Sequence, residues 1–109
     1  MTDGELTDAF EADALGRSIS HLEHVRISFV LLRRHGRREA EQRIVESTRR
    51  IATSLGVADR FDEELTRAWV AAIDDALADS DESPQDLLRR RPELEKGDLL
   101  GLPAWSRAV

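Results

Sequence analysis

The stretch SHLEHVRISFVLLRRHG, residues 20–36, contains the start, the buried face and the end of one long helix. Ser20 followed by Glu23 is a capping-box pattern, in which each side chain satisfies a backbone N–H of the other residue. Gly36 supplies a left-handed cap at the C-terminal end. Apolar side chains recur every three or four residues and predict the core-facing stripe, which consists of Leu22, Val25, Phe29 and Leu32.

Helical patterns continue on both sides of this stretch. A first short helix is predicted over residues 6–15, before Gly16. A third is predicted over residues 37–55, and the very short turn before it favours an antiparallel hairpin with the second. A fourth is predicted over residues 59–79 with Asp59 as its N-cap, and a short fifth over residues 83–91, where Ser83 and Pro84 read as N-cap and first helical residue.

The chain is therefore expected to be all-α, a small helical bundle of four to five helices with an irregular C-terminal strap. A length of 109 residues fits a single domain. Its predicted parts are a short N-terminal helix (1–17), a three-helix core (20–79), a short helix (83–91) and an apolar tail (92–109). The tail is expected to cross the helices and cover a cavity or a partner subunit, because glycines and a proline punctuate its apolar residues Leu94, Leu99, Leu100, Leu102 and Trp105.

Composition excludes several classes of function. The chain contains no cysteine, which rules out disulfides, thiolate metal sites and cysteine nucleophiles. The acidic N-terminus has no apolar run of the kind found in signal peptides. The longest apolar run, residues 29–32, is far shorter than a membrane span. We therefore expect a cytoplasmic protein without a membrane partner.

The charge is uneven along the chain. The net charge of −6 disfavours nucleic acid as a partner, but residues 26–50 contain eight arginines and only three glutamates. One interpretation is that these arginines form pairs along helix faces, such as Glu39 with Arg43 and Glu46 with Arg50. The other is a nucleic-acid surface formed by residues 33–50. The first is favoured, because such pairs are common on solvated helices.

All three histidines lie on one flank of the second helix. At about 100° per residue, a stripe beside the core stripe contains His21, His24, Ser28 and His35. His21 and His24, three residues apart, can converge on one metal ion or substrate group. His35 is too far along the helix to join them and is expected to interact with the helix dipole.

On the fourth helix, one stripe contains Asp62, Thr66, Trp69 and Ile73, and it adjoins Phe61 and Leu65. If the second and fourth helices are neighbours, Asp62 could face His21 or His24. A carboxylate beside a histidine fixes the imidazole tautomer and raises its basicity. The alternative is that Asp62 and Glu63 are acids at the helix start that complement the dipole.

Three stretches resemble a family of small, mostly uncharacterised bacterial proteins common in actinobacteria. Residues 20–26 and 31–36 are similar to its Phe-His-x-x-Asp-His-[Val/Leu]-Arg-x-Ala-Trp region. Residues 61–69 are similar to its Tyr-His-Glu-Thr-x-Thr-x-x-Trp motif, and residues 91–94 to its Pro-Glu-Leu segment. The chain has Phe61, Asp62 and Glu64 where the family has Tyr, His and Thr. The resemblance thus implies a polar site that is retained in the first motif and altered in the second.

These patterns favour a small helical protein with a His/carboxylate pocket that binds a small metabolite or performs acid/base chemistry on it, without a cofactor. The predicted catalytic residues are His21, His24 and Asp62, which would also be the ligands if a metal were bound. The predicted substrate-binding residues are Arg26, Ser28, Glu63, Thr66 and Trp69. The alternatives are a non-catalytic helical interaction module or accessory subunit, homodimeric, and, more weakly, nucleic-acid binding through the arginine-rich second and third helices.

Overall fold

The computed structural model describes residues 1–96 together with Pro103 and Trp105. Within this part of the chain there are α-helices and two 3-10 turns, Ala58–Arg60 and Pro92–Glu95, and no strand. The helices are α1 (Asp3–Glu11), α2 (His21–His35), α3 (Arg37–Ser54), α4 (Glu63–Ala76) and α5 (Pro84–Arg90). The predicted small all-α bundle is confirmed. Leu99, Leu100 and Leu102 of the expected strap lie outside the described residues.

Helix α2 is the centre of the bundle. It contacts all four other helices and the Pro92–Glu95 turn. Its buried surface is therefore wider than one stripe, and its middle runs through His24, Ser28 and Leu31, which are at most 1% exposed. The predicted core stripe was wrong at Leu22, which is 40% exposed, because the buried face is centred on the histidine flank instead.

Capping boxes start the first two helices. In the predicted box of α2, Ser20 Oγ accepts the Glu23 N–H at 3.2 Å and the Ser20 N–H donates to Glu23 Oε1 at 3.1 Å. Thr2 and Glu5 form the same arrangement before α1. This second box explains why α1 begins at Asp3, earlier than predicted; the helix ends at Glu11, also earlier than predicted.

The later helices differ from prediction mainly at their starts. Helix α4 begins at Glu63 with Asp62 as its N-cap, because the predicted cap Asp59 belongs to a separate 3-10 turn. Ser83 caps α5 as predicted, and its side chain accepts the Asp86 N–H. Gly36, with φ of 81°, ends α2 and precedes α3 directly, and the two helices pack against each other as expected for a hairpin.

Arginines tie the helices to one another. Seven of the eight arginines between residues 26 and 50 bond to carboxylates, backbone carbonyls or both. Arg34 bonds to Asp8 at 2.8 Å and Arg43 to Glu11 at 3.0 Å, so α1 is held against α2 and α3. The predicted Glu39–Arg43 pair is present at 3.5 Å, whereas Arg50 bonds to Asp13 rather than to Glu46. The local excess of arginine is therefore largely occupied within the fold.

Candidate functional site

Four rings cluster where α2, α4 and the C-terminal region meet. The His24 and Trp105 rings are parallel, with centroids 4.5 Å apart and 11° between their planes. Trp69 is also parallel to Trp105, at 6.2 Å and 10°, and His21 meets Trp69 edge-on at 4.6 Å and 73°. We call the space that Trp105 occupies beside His21, His24 and Trp69 the Trp105 slot.

Both ring nitrogens of His21 bond to backbone groups. Its Nε2 lies 2.8 Å from the Leu94 carbonyl oxygen, and its Nδ1 lies 3.1 Å from the Trp105 backbone nitrogen. A carbonyl can only accept and a backbone N–H can only donate. His21 is therefore neutral with its proton on Nε2, and the lone pair of Nδ1 is directed into the Trp105 slot.

The capping box at the start of α2 fixes the positions of His21 and His24. His21 is the first residue of α2 and His24 lies one turn later. Hydrogen bonds from the Arg17 guanidinium at 2.6 and 2.8 Å, together with those from Ser20, lower the pKa of Glu23 to about 2. The acid of the box thus stays ionised, and the start of α2 is held in place.

Trp69 lies in the middle of α4 and is fully buried. Its Nε1–H donates to the Pro103 carbonyl at 2.9 Å. Sequence patterning placed Trp69 on the pocket wall of α4, and the structure does bring it against His21. Trp69 of α4 therefore bonds to Pro103, while His21 of α2 bonds to Trp105.

The predicted role of Asp62 as the carboxylate that orients a histidine was wrong for His21. Asp62 is exposed, and its Oδ1 accepts the Leu65 N–H at 3.0 Å as the N-cap of α4. Because α4 starts later than predicted, Asp62 precedes the first turn and does not point inward from it. The alternative interpretation, an acid at the helix start, is the correct one. The group that orients His21 is the Leu94 carbonyl.

The predicted substrate-binding side chains mostly bond within the fold. Arg26 pairs with Asp3 at 2.7 Å and donates to the Met1 carbonyl. Glu63 pairs with Arg49 at 2.5 Å and with Arg67 at 3.0 Å. The buried Thr66 hydroxyl donates to the Asp62 carbonyl. These three side chains are engaged in linking or capping helices.

Ser28 is different. It is fully buried one turn after His24, and its Oγ has no hydrogen-bond partner among residues 1–96, 103 and 105. The third histidine, His35, pairs with Glu39 at 3.1 Å at the junction of α2 and α3. It stands apart from the histidine pair, as predicted.

The set His21, His24 and Asp62 is not assembled as a metal site. Among the described residues, no three His, Cys, Asp or Glu side chains are placed to hold a metal ion. Within the same residues, no helix is long and apolar enough to cross a membrane. Of the arrangement that the sequence suggested, the structure brings His21 edge-on against Trp69, while His24 stacks on Trp105.

Two participants were missed from the sequence. The Leu94 carbonyl and the Trp105 N–H are backbone groups. Their role therefore cannot be recognised from the residue type at either position. The one available signal was the apolar character of residues 92–109, which indicated packing against the helices.

Comparisons with family models, curated proteins and solved structures find no match to this chain.

Proposed function

We propose that this protein binds a small metabolite in the Trp105 slot and that His21 acts there as a general base. The observation that carries the proposal is the fixed tautomer of His21. Its Nε2–H donates to the Leu94 carbonyl, which leaves the Nδ1 lone pair facing the slot. A backbone acceptor on the far nitrogen fixes the orientation and the tautomer of an imidazole.

The geometry suits proton transfer. A general base has to lie within hydrogen-bond reach of the proton that it takes, and Nδ1 already accepts an N–H at 3.1 Å. In the proposed step, a donor group of the ligand gives its proton to Nδ1, and His21 becomes an imidazolium that keeps its Nε2–H bond to Leu94. His24 and Trp69 hold the ligand by ring contacts. We place this activity in the cytoplasm of a bacterium.

The second candidate is a non-catalytic interaction module or accessory subunit, homodimeric. It is supported by the fact that Trp105 of the same chain fills the slot and that His24 is 1% exposed, which is the arrangement of a packed core. Nucleic-acid binding has less support, because most of the arginines between residues 26 and 50 bond within the fold.

The test is equilibrium dialysis of the purified protein against the low-molecular-weight fraction of a bacterial lysate, followed by mass spectrometry. We expect the wild type and the control His35→Phe to retain the same compound near one equivalent. His21→Phe, which has no ring nitrogen, should retain none.

A further variant separates binding from chemistry. His21→Gln keeps one donor and one acceptor but cannot take up a proton, so it should retain the compound without converting it. If the wild type enriches nothing, or if His21→Phe enriches the same compound equally well, the metabolite proposal is wrong and the interaction module takes its place.

A further inference from the structure

We propose that the ligand of the Trp105 slot is a peptide-like aromatic compound, and that Trp105 and its backbone occupy the slot in its place. The ligand needs a planar ring that two carbon atoms separate from an amide nitrogen. It also needs a carbonyl group one residue before that amide, at the position of the Pro103 carbonyl. The inference rests on the proposed function, that the slot binds a small metabolite, and names the class to which that metabolite belongs.

The segment around Trp105 shows three distinct points of recognition. The indole stacks on His24 at 4.5 Å. The backbone N–H donates to His21 Nδ1 at 3.1 Å. The Pro103 carbonyl accepts the Trp69 Nε1–H at 2.9 Å. The ring, the donor and the acceptor are thus each contacted by a different side chain. Their covalent spacing is that of an aromatic amino acid acylated by a further acylated residue.

The receiving side chains belong to the helices and not to the C-terminal region. His21 and His24 are fixed by the capped start of α2, and Trp69 lies in the middle of α4. Both helices are packed into the core cluster through other residues, including Val25, Ile27 and Val70. A ligand that replaces the segment would therefore meet a site that is already formed.

In the slot, Trp105 leaves one of its own polar groups without a partner among the described residues. Its indole Nε1–H is buried and has no acceptor among the described residues. A buried donor without a partner costs free energy, because the bond that it made with water is not replaced. A ring of the same size without this N–H avoids the cost. As far as the described residues line it, the slot therefore favours a carbocyclic ring over indole, and this is why we expect such a ligand to displace Trp105.

The electrostatics favour a neutral amide over a charged amine. Within the described part of the chain, no carboxylate or guanidinium bonds to His21, Trp69 or Trp105. An ammonium group at the position of the Trp105 nitrogen would be buried without a counter-charge, which is unfavourable. A neutral amide N–H matches the neutral Nδ1 acceptor as a hydrogen-bond donor. Because an amide is too weak an acid to protonate an imidazole, this bond recognises the ligand and is not itself the proton transfer of the proposed function.

The first arm of the test uses the full chain with Trp105→Ala and four capped tripeptides, measured by calorimetry. The reference peptide is acetyl-Pro-Ala-Trp-amide. The second has alanine in place of tryptophan, the third has an N-methyl group on the tryptophan nitrogen, and the fourth has 2-naphthylalanine, which lacks the indole N–H. We expect the alanine peptide not to bind. The N-methyl peptide should bind about three- to tenfold more weakly than the reference, as for one lost hydrogen bond. The naphthyl peptide should bind more tightly than the reference.

The second arm shows whether His21 is the acceptor. In Trp105→Ala/His21→Phe, the reference and N-methyl peptides should bind with the same affinity. In the matched control Trp105→Ala/His35→Phe, the three- to tenfold difference should remain. If the N-methyl peptide binds as well as the reference to Trp105→Ala itself, the slot is only an indole-sized cavity and the inference is wrong.

The third arm uses the wild type, so that it decides the matter even if Trp105→Ala does not fold. A saturating naphthyl peptide should move the Trp105 indole N–H resonance to the position of an exposed tryptophan, while Trp69 stays buried. No movement overturns the inference. So does a wild-type dimer that Trp105→Phe weakens, because the slot would then receive the same segment of a second copy.

The proposed function and this inference can fail separately. If dialysis enriches a compound without an aromatic ring, the metabolite function stands and the peptide-like class is wrong. If dialysis enriches nothing while the three arms give the expected results, the recognition stands and the metabolite function is wrong.

Discussion

The rings of His24 and Trp105 lie parallel, with 4.5 Å between their centroids. The contact joins the first turn of α2 to the C-terminal region, and the adjacent Trp105 to His21 bond spans 84 residues of chain. Trp105 is thereby part of the packed interior, and it is fully buried.

Trp105→Ala is expected to lower the free energy of unfolding by about 3–5 kcal/mol, as for other buried aromatic residues that are truncated. Chemical denaturation monitored by circular dichroism measures it. The matched control is Leu22→Ala, at a side chain 40% exposed, which should cost well under half as much. Equal losses would mean that Trp105 is not packed on the helices.

His21 should be found in the tautomer with its proton on Nε2 at neutral pH. The reason is that the Leu94 carbonyl requires a donor and the Trp105 N–H requires an acceptor. Nitrogen chemical shifts from long-range proton–nitrogen spectra distinguish the tautomers. In Pro103→Ala/Trp105→Ala, in which the contacts of Pro103 and Trp105 are weakened, the Nε2–H tautomer should persist, because the Leu94 carbonyl still accepts from it. A proton on Nδ1 in the wild type would contradict the site.

Glu23→Gln is expected to destabilise the protein by about 0.5–1.5 kcal/mol at neutral pH, through a weaker capping box and the loss of the Arg17 pair. The pKa of Glu23 is lowered to about 2 from an ordinary value of 4.5. A group with a lowered pKa stabilises the fold fully above its unfolded-state pKa, and the effect is lost as pH falls from about 4.5 toward 2. Unfolding curves between pH 7 and 2 should therefore converge for wild type and variant. A constant difference down to pH 2 would rule out the assigned cause.

Asp62→Ala should cost about 1 kcal/mol, which is typical of a lost N-cap, and should leave binding in the Trp105 slot unchanged. Its carboxylate bonds to the Leu65 N–H and lies on the surface. Asp59→Ala is the matched control, because Asp59 belongs to the separate 3-10 turn and should have little effect. Loss of binding in Asp62→Ala would mean that Asp62 belongs to the site, as the sequence predicted.

The parts that could be predicted from the sequence are those specified by neighbouring residues. The bounds of α2 follow from Ser20, Glu23 and Gly36, all within or beside the helix. The placement of His21 and His24 on one flank follows from helical periodicity. That Trp69 would contact His21 required only that α2 and α4 be neighbours, which they are.

The remaining features depend on contacts distant in sequence. The start of α4 was misplaced because Asp59 and Asp62 are both acceptable caps, and the choice between them depends on the 3-10 turn at Ala58–Arg60. That error moved Asp62 onto an inward position. The true partner of His21, the Leu94 carbonyl, is 73 residues away and carries no signature in its side chain.

The span of these contacts also sets an order of folding. The α2–α3 hairpin brings together residues that are close in sequence, and such local contacts form quickly. The bonds of His21 to Leu94 and Trp105 close loops of 73 and 84 residues, and the entropy cost of closure grows with loop length. We therefore expect His21 to form these two bonds after the α2–α3 hairpin has assembled.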